Sequence, residues 1–184
     1  MRIVAGAWRG RALKAPPGPA TRPTADRVRQ ALFDMLLHAP WAGPALVQGA
    51  RVLDAFAGTG ALGLEALSRG AAHASFIERD RAALAALRQN VTLCGAADRC
   101  TVLATDVLSA PPAGRPCSLV FLDPPYGEGL LAPALGRLRA VGWLAPGAVV
   151  VAETSRVEGV ELPGPPLAER NHGAARLTVW AEPA

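Results

Sequence analysis

Four carboxylates, Asp54, Glu78, Asp106 and Asp123, each stand at or just past the end of an apolar run in this 184-residue chain. The strongest signal is Asp123-Pro124-Pro125-Tyr126, which follows the run CSLVFL and precedes Gly127. Two prolines fix φ and turn backbone carbonyls outward. Asp123 and the Pro124 carbonyl can then accept both hydrogens of a planar exocyclic amine, while the Tyr126 ring stacks on the base that carries it. An amine held in this way loses conjugation with its ring. Its lone pair is then free to attack an electrophilic methyl group in line, with proximity supplying much of the rate. A tight turn with a stacked tyrosine is the plainer reading of the same residues, and the glycine turn upstream weighs against it.

That turn is DAFAGTGALG, residues 54–63, with Gly58, Gly60 and Gly63 in G-x-G-x-x-G spacing between a strand and a helix. Alone it could cradle a dinucleotide pyrophosphate on a helix N-terminus. Asp54 argues otherwise, because a carboxylate there repels pyrophosphate. It suits the ammonium of S-adenosylmethionine, which carries an ammonium, a carboxylate and a sulfonium but no phosphate. Capping of the following helix is the competing role for Asp54. Glu78 lies 20 residues after Gly58, where an acid accepts hydrogen bonds from ribose hydroxyls of either ligand. Asp106 could meet an adenine amine, although taken alone it reads first as a loop cap.

These residues need a frame that gathers strand ends. Apolar runs at 51–56, 73–78, 100–105, 117–123 and 147–153 read as strands. Helices are expected at 61–70, closed by Gly70, at 80–94, with Ala83, Leu84, Leu87 and Val91 on one face, and over roughly 128–140. Such alternation implies a parallel sheet with helices on both faces, and ligands bound outside the carboxyl ends of its strands. The tail, 157–181, could add an antiparallel hairpin. Upstream, residues 2–14 read as a hairpin turning near Trp8–Gly10. A Pro/Gly-rich link follows, and Thr24 is placed to cap a helix from Ala25 to about His38.

Composition sets bounds. With 51% apolar residues the chain can build one core. No apolar run approaches the ~20 residues that span a bilayer, and Trp8, Arg9 and Gly10 interrupt the start too early for a signal peptide. A cytoplasmic protein is expected, with monomer as the default. Cys94, Cys100 and Cys117 show no C-x-x-C spacing, and His38, His73 and His172 lie apart, so neither a disulfide framework nor a metal site is indicated. Pro116-Cys117 resembles the Pro-Cys pair of cytosine-C5 methyltransferases, but it starts its strand, away from the end that carries Asp123. Residues 1–30 hold seven basic side chains against Asp26 alone, a net of +6, while the rest holds 12 basic and 14 acidic groups, a net of −2. Charge alone fits a polyanion-binding surface and a solvated basic hairpin equally well.

With these residues in view, the chain resembles, over nearly its whole length, the bacterial small-subunit rRNA guanine-N2 methyltransferases, the RsmD family. The resemblance rests on MRIVAGAWRGRALKAP (1–16), TRPTADRVRQALFDML (21–36), VLDAFAGTGALGLEALSRGAAHASFIERD (52–80), LVFLDPPYG (119–127) and WLAPGAVVVAE (143–153). It implies an α/β, Rossmann-like class I methyltransferase fold: a mostly parallel seven-stranded sheet with helices on both faces, plus an N-terminal β-hairpin and helix. Residues 1–40 would form the RNA-facing extension and 41–184 the methyltransferase domain. The implied reaction is methylation of N2 of guanine 966 in 16S rRNA, within the small subunit or an assembly intermediate, using S-adenosylmethionine and no metal. By the same resemblance Asp54, Phe56, Gly58, Thr59 and Gly60 bind the cofactor with Glu78, Arg79, Asp106, Val107 and Asp123. Asp123, Pro124, Pro125 and Tyr126 hold the flipped guanine. Arg22, Thr24 and Arg27 border the site, and Arg9 and Arg11 rest on RNA phosphates. One departure stands out: where the family carries an aromatic-basic stretch such as K-R-Y-G, this chain reads Arg170-Asn171-His172-Gly173.

Other readings share some of these features. A DNA adenine-N6 methyltransferase also uses Asp-Pro-Pro-Tyr, but usually carries an added target-recognition region. A protein glutamine methyltransferase more often has Asn at the Asp123 position. An NAD-dependent enzyme would account for Gly58, Gly60 and Gly63 but not for Asp54 or Asp123–Tyr126. An RNA-binding module without activity would need the basic hairpin and not Asp123.

Overall fold

Alternation along each apolar run sends neighbouring side chains to opposite faces of a sheet, and the computed structural model of the chain, which describes residues 1–16, 23–159 and 161–184, is built on that rule. Seven strands form one sheet: β1 (Arg51–Ala55), β2 (His73–Glu78), β3 (Cys100–Ala104), β4 (Cys117–Leu122), β5 (Leu144–Ser155), β6 (Ala168–His172) and β7 (Ala175–Ala181). Their order is β3-β2-β1-β4-β5-β7-β6. The first five run parallel, and β7 lies antiparallel between β5 and β6. The helices are α1 (Pro23–His38), α2 (Ala61–Ser68), α3 (Arg81–Cys94) and α4 (Leu131–Ala140).

Two cores result. Val52, Phe76 and Phe121 face one side, with Leu32, Phe33 and Leu36 of α1, Leu64 of α2, Leu87 of α3, and Ile3 and Leu13 of the N-terminal segment. Leu53, Ile77, Val120 and Leu122 face the other, with Leu135 and Leu138 of α4 and the indoles of Trp143 and Trp180. The chain winds outward from β1 through β2 to β3, then crosses to β4 on the other flank. The strand order therefore reverses between β1 and β4, and that reversal opens a crevice at their carboxyl ends.

The elements match the expected ones with local differences. Thr24 lies inside α1 rather than capping it, because the helix begins at Pro23, whose fixed φ suits the first turn. Helix α4 starts at Leu131 and not near 128. The preceding Gly127-Glu128-Gly129 would cost a helix about 1 kcal/mol per glycine. β5 is longer than residues 147–153, and its register against β4 shifts between Cys117 and Leu119 to absorb the early residues.

The N-terminal hairpin is reduced to a single bridge, Arg2–Ala12. The amide of Ile3 donates to the Arg11 carbonyl at 2.9 Å and that of Leu13 to the Met1 carbonyl at 3.0 Å. What holds the segment is α2. The amides of Val4 and Ala5 donate to the two carboxylate oxygens of Glu65, at 2.8 and 3.0 Å. One turn on, Ser68 Oγ donates to the Ala5 carbonyl at 2.6 Å and accepts from the Trp8 amide at 3.0 Å. Gly6 makes this approach possible: at φ +80, a Cβ there would sit 1.9 Å from the Ser68 carbonyl oxygen.

Glu65 is fully buried and also receives the guanidinium Nε of Arg69 at 2.8 Å and of Arg29 at 3.4 Å. Arg29 is itself only 4% exposed, so one of the seven N-terminal basic residues serves the interior. Removing the carboxylate strands two guanidinium groups and two amides. Glu65→Ala should therefore lower unfolding stability in urea by about 3–5 kcal/mol, with a smaller loss for Glu65→Gln; a loss under 1 kcal/mol would show that the cluster does not anchor the extension.

Candidate active site

At the carboxyl ends of the strands lies a cleft of about 590 Å³. It gathers residues from five separate chain segments: Phe56 after β1, Glu78 and Arg79 after β2, Asp106 and Val107 after β3, Asp123–Tyr126 after β4, and Glu153 near the end of β5. Five carboxylates, Glu78, Asp80, Asp106, Asp123 and Glu153, line it against one basic side chain, Arg79. Arg79 Nη1 already donates to Asp106 Oδ2 at 2.7 Å. Such a cleft attracts a cation and repels phosphate.

The glycine turn agrees. Gly58 N donates to Glu78 Oε2 at 2.7 Å, Gly60 N to the Ala57 carbonyl at 2.7 Å, and Gly63 N to Asp54 Oδ2 at 2.9 Å. The amides that would cradle a pyrophosphate are thus taken, two of them by carboxylates. A Cβ on Gly58 would meet nothing within 4 Å, whereas on Gly63 it would lie 2.4 Å from the Phe76 ring. The turn is closed toward the core and open on its outer side, where a ligand backbone can lie against it. Phe56, at the end of β1, is a non-glycine residue at φ 62, a conformation that costs of order 1–3 kcal/mol and commonly marks a functional site.

Asp54 sits behind this turn, 2% exposed. Its bond to Gly63 N caps α2, the competing role noted from the sequence, and Oδ1 accepts no hydrogen bond from the described residues. Burial, with the charges of Asp123 and Glu78, outweighs that bond and pushes its pKa up to about 8. Asp106 also caps: Oδ1 accepts from Leu108 N at 2.8 Å. That bond, and the Arg79 partner, hold its carboxyl below the ordinary range. Both oxygens of Glu78 are engaged, Oε1 by the amides of Arg79 and Asp80 at 2.8 and 2.7 Å. Asp123 is exposed to the cleft but flanked by protein and by Glu153, which together push its pKa up to about 7. The Tyr126 hydroxyl donates to Glu153 Oε1; desolvation and this bond raise its pKa.

The remaining expected site residues lie elsewhere. Thr59 is in the glycine turn, its carbonyl bound by Asn90 Nδ2 at 3.0 Å. Arg27 is exposed early in α1. Arg11 Nη1 donates to the Leu93 carbonyl at 2.6 Å. Arg9 is in the hairpin turn, which packs on Ser68 and, through Trp8, under Arg99 at 5.0 Å. Ser68 ends α2 and Arg99 precedes β3, so the turn is at the opposite end of the sheet from the cleft. Arg22 and the side chain of Thr24 lie outside the described residues. Cys117 starts β4, fully buried, its thiol pushed up to about 11 by burial. Among the described residues no group of three His, Cys, Asp or Glu is placed to hold a metal.

Glu153 was not singled out from the sequence. Its signal was present, an acid closing the apolar run GAVVVAE, but that β5 lies beside β4 is not readable from the run itself.

The pKa of Asp54 sets a test. The folded state holds its proton up to about pH 8, whereas the unfolded chain releases it near 3.8. The stability this group contributes is present in acid and is lost as pH rises toward 8. Asp54→Asn, which keeps the acceptor for Gly63 N, should melt increasingly above the parent between pH 5 and pH 8. A constant difference across that range would show that Asp54 is not buried as described.

A family model described as "Conserved hypothetical protein 95" matches residues 1–180. The ribosomal RNA small subunit methyltransferase D of Escherichia coli K12 is 42% identical over 160 residues, covering 87% of this chain and 77% of the relative. The solved structure of the YhhF protein of Escherichia coli superposes with a TM-score of 0.85 at 39% identity, covering 100% of this chain and 98% of that one. The 16S rRNA N2 G1207 methyltransferase of Thermus thermophilus, solved with AdoMet and guanosine, shares the fold at a TM-score of 0.65 and 23% identity, covering 91% of this chain and 45% of that one.

Proposed function

The chain belongs to the RsmD family, whose model spans residues 1–180, and on that premise we propose that it transfers a methyl group from S-adenosylmethionine to N2 of a guanine in 16S rRNA. Its fold is that of the class I S-adenosylmethionine-dependent methyltransferases. The observation that carries the reading is the acidic cleft, which gathers Glu78, Asp106, the Asp123–Tyr126 turn and Glu153 at the carboxyl ends of the strands, beside the glycine turn that Glu78 holds through Gly58 N.

The cofactor supplies an electrophilic methyl on a sulfonium. Asp54 Oδ1 and the neighbouring acids would hold its cationic groups, with Glu78 and Asp106 toward its ribose and adenine. Asp123 and the Pro124 carbonyl accept the two amine hydrogens, and Tyr126, half exposed, covers the base. A new C–N bond forms as the C–S bond breaks. The nitrogen then sheds one proton to Asp123, whose pKa near 7 lets it accept and release that proton at neutral pH.

The target base must leave its stack, at a cost of a few kcal/mol that is least at an unpaired nucleotide. The name of the Escherichia coli relative, a small-subunit rRNA methyltransferase, supports 16S rRNA as substrate, and the family resemblance points to guanine 966. Residues 1–40 serve as the RNA-facing extension to the methyltransferase domain, 41–184. A chain of this size has little surface for reading a long sequence, so folded RNA, in the small subunit or an assembly intermediate, supplies much of the specificity. The chain acts as a cytoplasmic monomer; among the described residues no helix is long and apolar enough to cross a membrane.

Small subunits lacking the modification, incubated with labelled S-adenosylmethionine and digested to nucleosides, should yield N2-methylguanosine. Asp123→Ala should reduce the rate at least about 100-fold, and Tyr126→Ala should reduce it less. Assembled subunits should outperform protein-free, unstructured RNA. Label in N6-methyladenine of duplex DNA instead would favour the adenine reading and sink this one.

A further inference from the structure

Glu153 is an acid with no basic partner among the described residues, and it stands beside the group that holds the reacting amine. In the β4–β5 register Leu122 faces Ala152, so the next residues along, Asp123 and Glu153, are neighbours on adjacent strands. Strands are spaced about 4.8 Å apart. The Tyr126 hydroxyl donates to Glu153 Oε1. That bond aims the carboxylate, and Oε2 accepts nothing from the described residues. Two carboxylates, those of Asp123 and Glu153, thus line the cleft side by side; with the Pro124 carbonyl of the proposed amine site they would make an acceptor array with one more member than an amine needs.

The bases that carry an exocyclic amine differ in what flanks it. In guanine the 2-amine is flanked by two ring nitrogens, N1, which bears a hydrogen, and N3, which bears a lone pair; no other amine-bearing base has a ring N–H beside its amine. In adenine the nitrogen beside N6 is N1, and in cytosine the one beside N4 is N3; each presents a lone pair. A carboxylate next to the amine-binding turn therefore gains a charge-assisted hydrogen bond from guanine and meets lone-pair repulsion from adenine or cytosine. Resting on the function proposed above, we infer that Glu153 is the specificity-determining residue, accepting the N1–H of guanine beside the amine held by Asp123 and Pro124. The second carboxylate selects the base, whereas the Asp-Pro-Pro-Tyr turn alone would serve any exocyclic amine.

The probe is 2-aminopurine, which keeps the 2-amine of guanine but has no hydrogen on N1. Small subunits reconstituted on 16S rRNA with guanine or 2-aminopurine at the methylated nucleotide would be assayed with the full-length parent, Glu153→Gln, Glu153→Ala and Tyr126→Phe, after thermal melts and calorimetric S-adenosylmethionine binding have shown each chain folded. The parent should favour guanine in kcat/KM by about 10- to 100-fold. In Glu153→Gln the amide can donate to a bare N1 as well as accept from N1–H, so the preference should shrink to within about threefold. Tyr126→Phe should lower the rate on both bases. Equal rates of the parent on the two bases would overturn the assignment without needing any variant. So would a Glu153→Gln or Glu153→Ala chain that slows on both bases while keeping the parent's preference, since Glu153 would then only position Tyr126. Absence of N2-methylguanosine from the guanine-bearing subunits would instead remove the function on which the inference rests.

Discussion

Two carboxylates hold the turn on which both fold and site depend. Asp54 and Glu78, ending neighbouring parallel strands, receive the amides of Gly63 and Gly58. The start of α2 is thereby tied to the carboxyl ends of β1 and β2. A glycine-rich turn has high conformational freedom, and its ordering cost is offset here by hydrogen bonds to two acidic side chains. A helix N-terminus ordinarily invites an anion, but here the Gly58 and Gly63 amides are already taken by the side chains of Glu78 and Asp54. The same two bonds thus order the turn and leave it fewer free donors for a phosphate.

A second buried acid plays the corresponding part for the extension. Glu65 and Ser68 lie three residues apart on α2, on one face, and between them they satisfy amides and carbonyls of residues 4–8 that a single β-bridge leaves free. The hairpin runs from the glycine turn, where Met1 Sδ lies 3.9 Å from Thr59 Oγ1, down to the far end of α2 and back to Asn90 and Thr59 through Lys14. Its open end, not its tip, therefore adjoins the site. Helix α1, tied to the same Glu65 through Arg29, begins at that end too. Basic charge counted as one cluster in the sequence is divided by the fold: Arg29 inward, Arg9 to the distant turn, and Arg27 and Lys14 near the cleft end.

Much of this was legible because acids that end apolar runs are rare and strands of a parallel sheet share a polarity. Asp54, Glu78, Asp106 and Asp123 all come to the crevice end, as their positions on strands imply. The roles were harder to read. Asp54 and Asp106 both cap local backbone, and a sequence cannot separate a capping carboxylate from a ligand-binding one when the same group does both. Glu153 escaped for another reason: its run has no turn motif, and only the lateral order β1-β4-β5 sets it beside Asp123. Thr24 has the chemistry of a cap, but the helix already begins at Pro23, whose fixed φ suits a first turn. Burial of Arg29 depends on a partner 36 residues away, which no local pattern announces.

The charge layout leaves one physical problem, how a polyanion approaches a cleft lined by carboxylates. Phosphates and bases separate when a nucleotide is flipped: the neutral base enters, and the backbone stays outside. The tip of the β6–β7 hairpin reaches the cleft end of the sheet, since Ala175 pairs with Ser155 at the end of β5. It brings Arg170 and Arg176 there, with Arg156 beside them. Arg27 and Lys14 lie toward the other flank. Basic side chains thus stand at the cleft end of the sheet, outside an acidic cleft. Potentials of this form draw the backbone to the rim by interactions screened within about 8 Å at physiological salt. On the proposed function, the interior takes a cationic methyl donor and a base edge rich in hydrogen-bond donors, a character that guanine, with N1–H beside its amine, has.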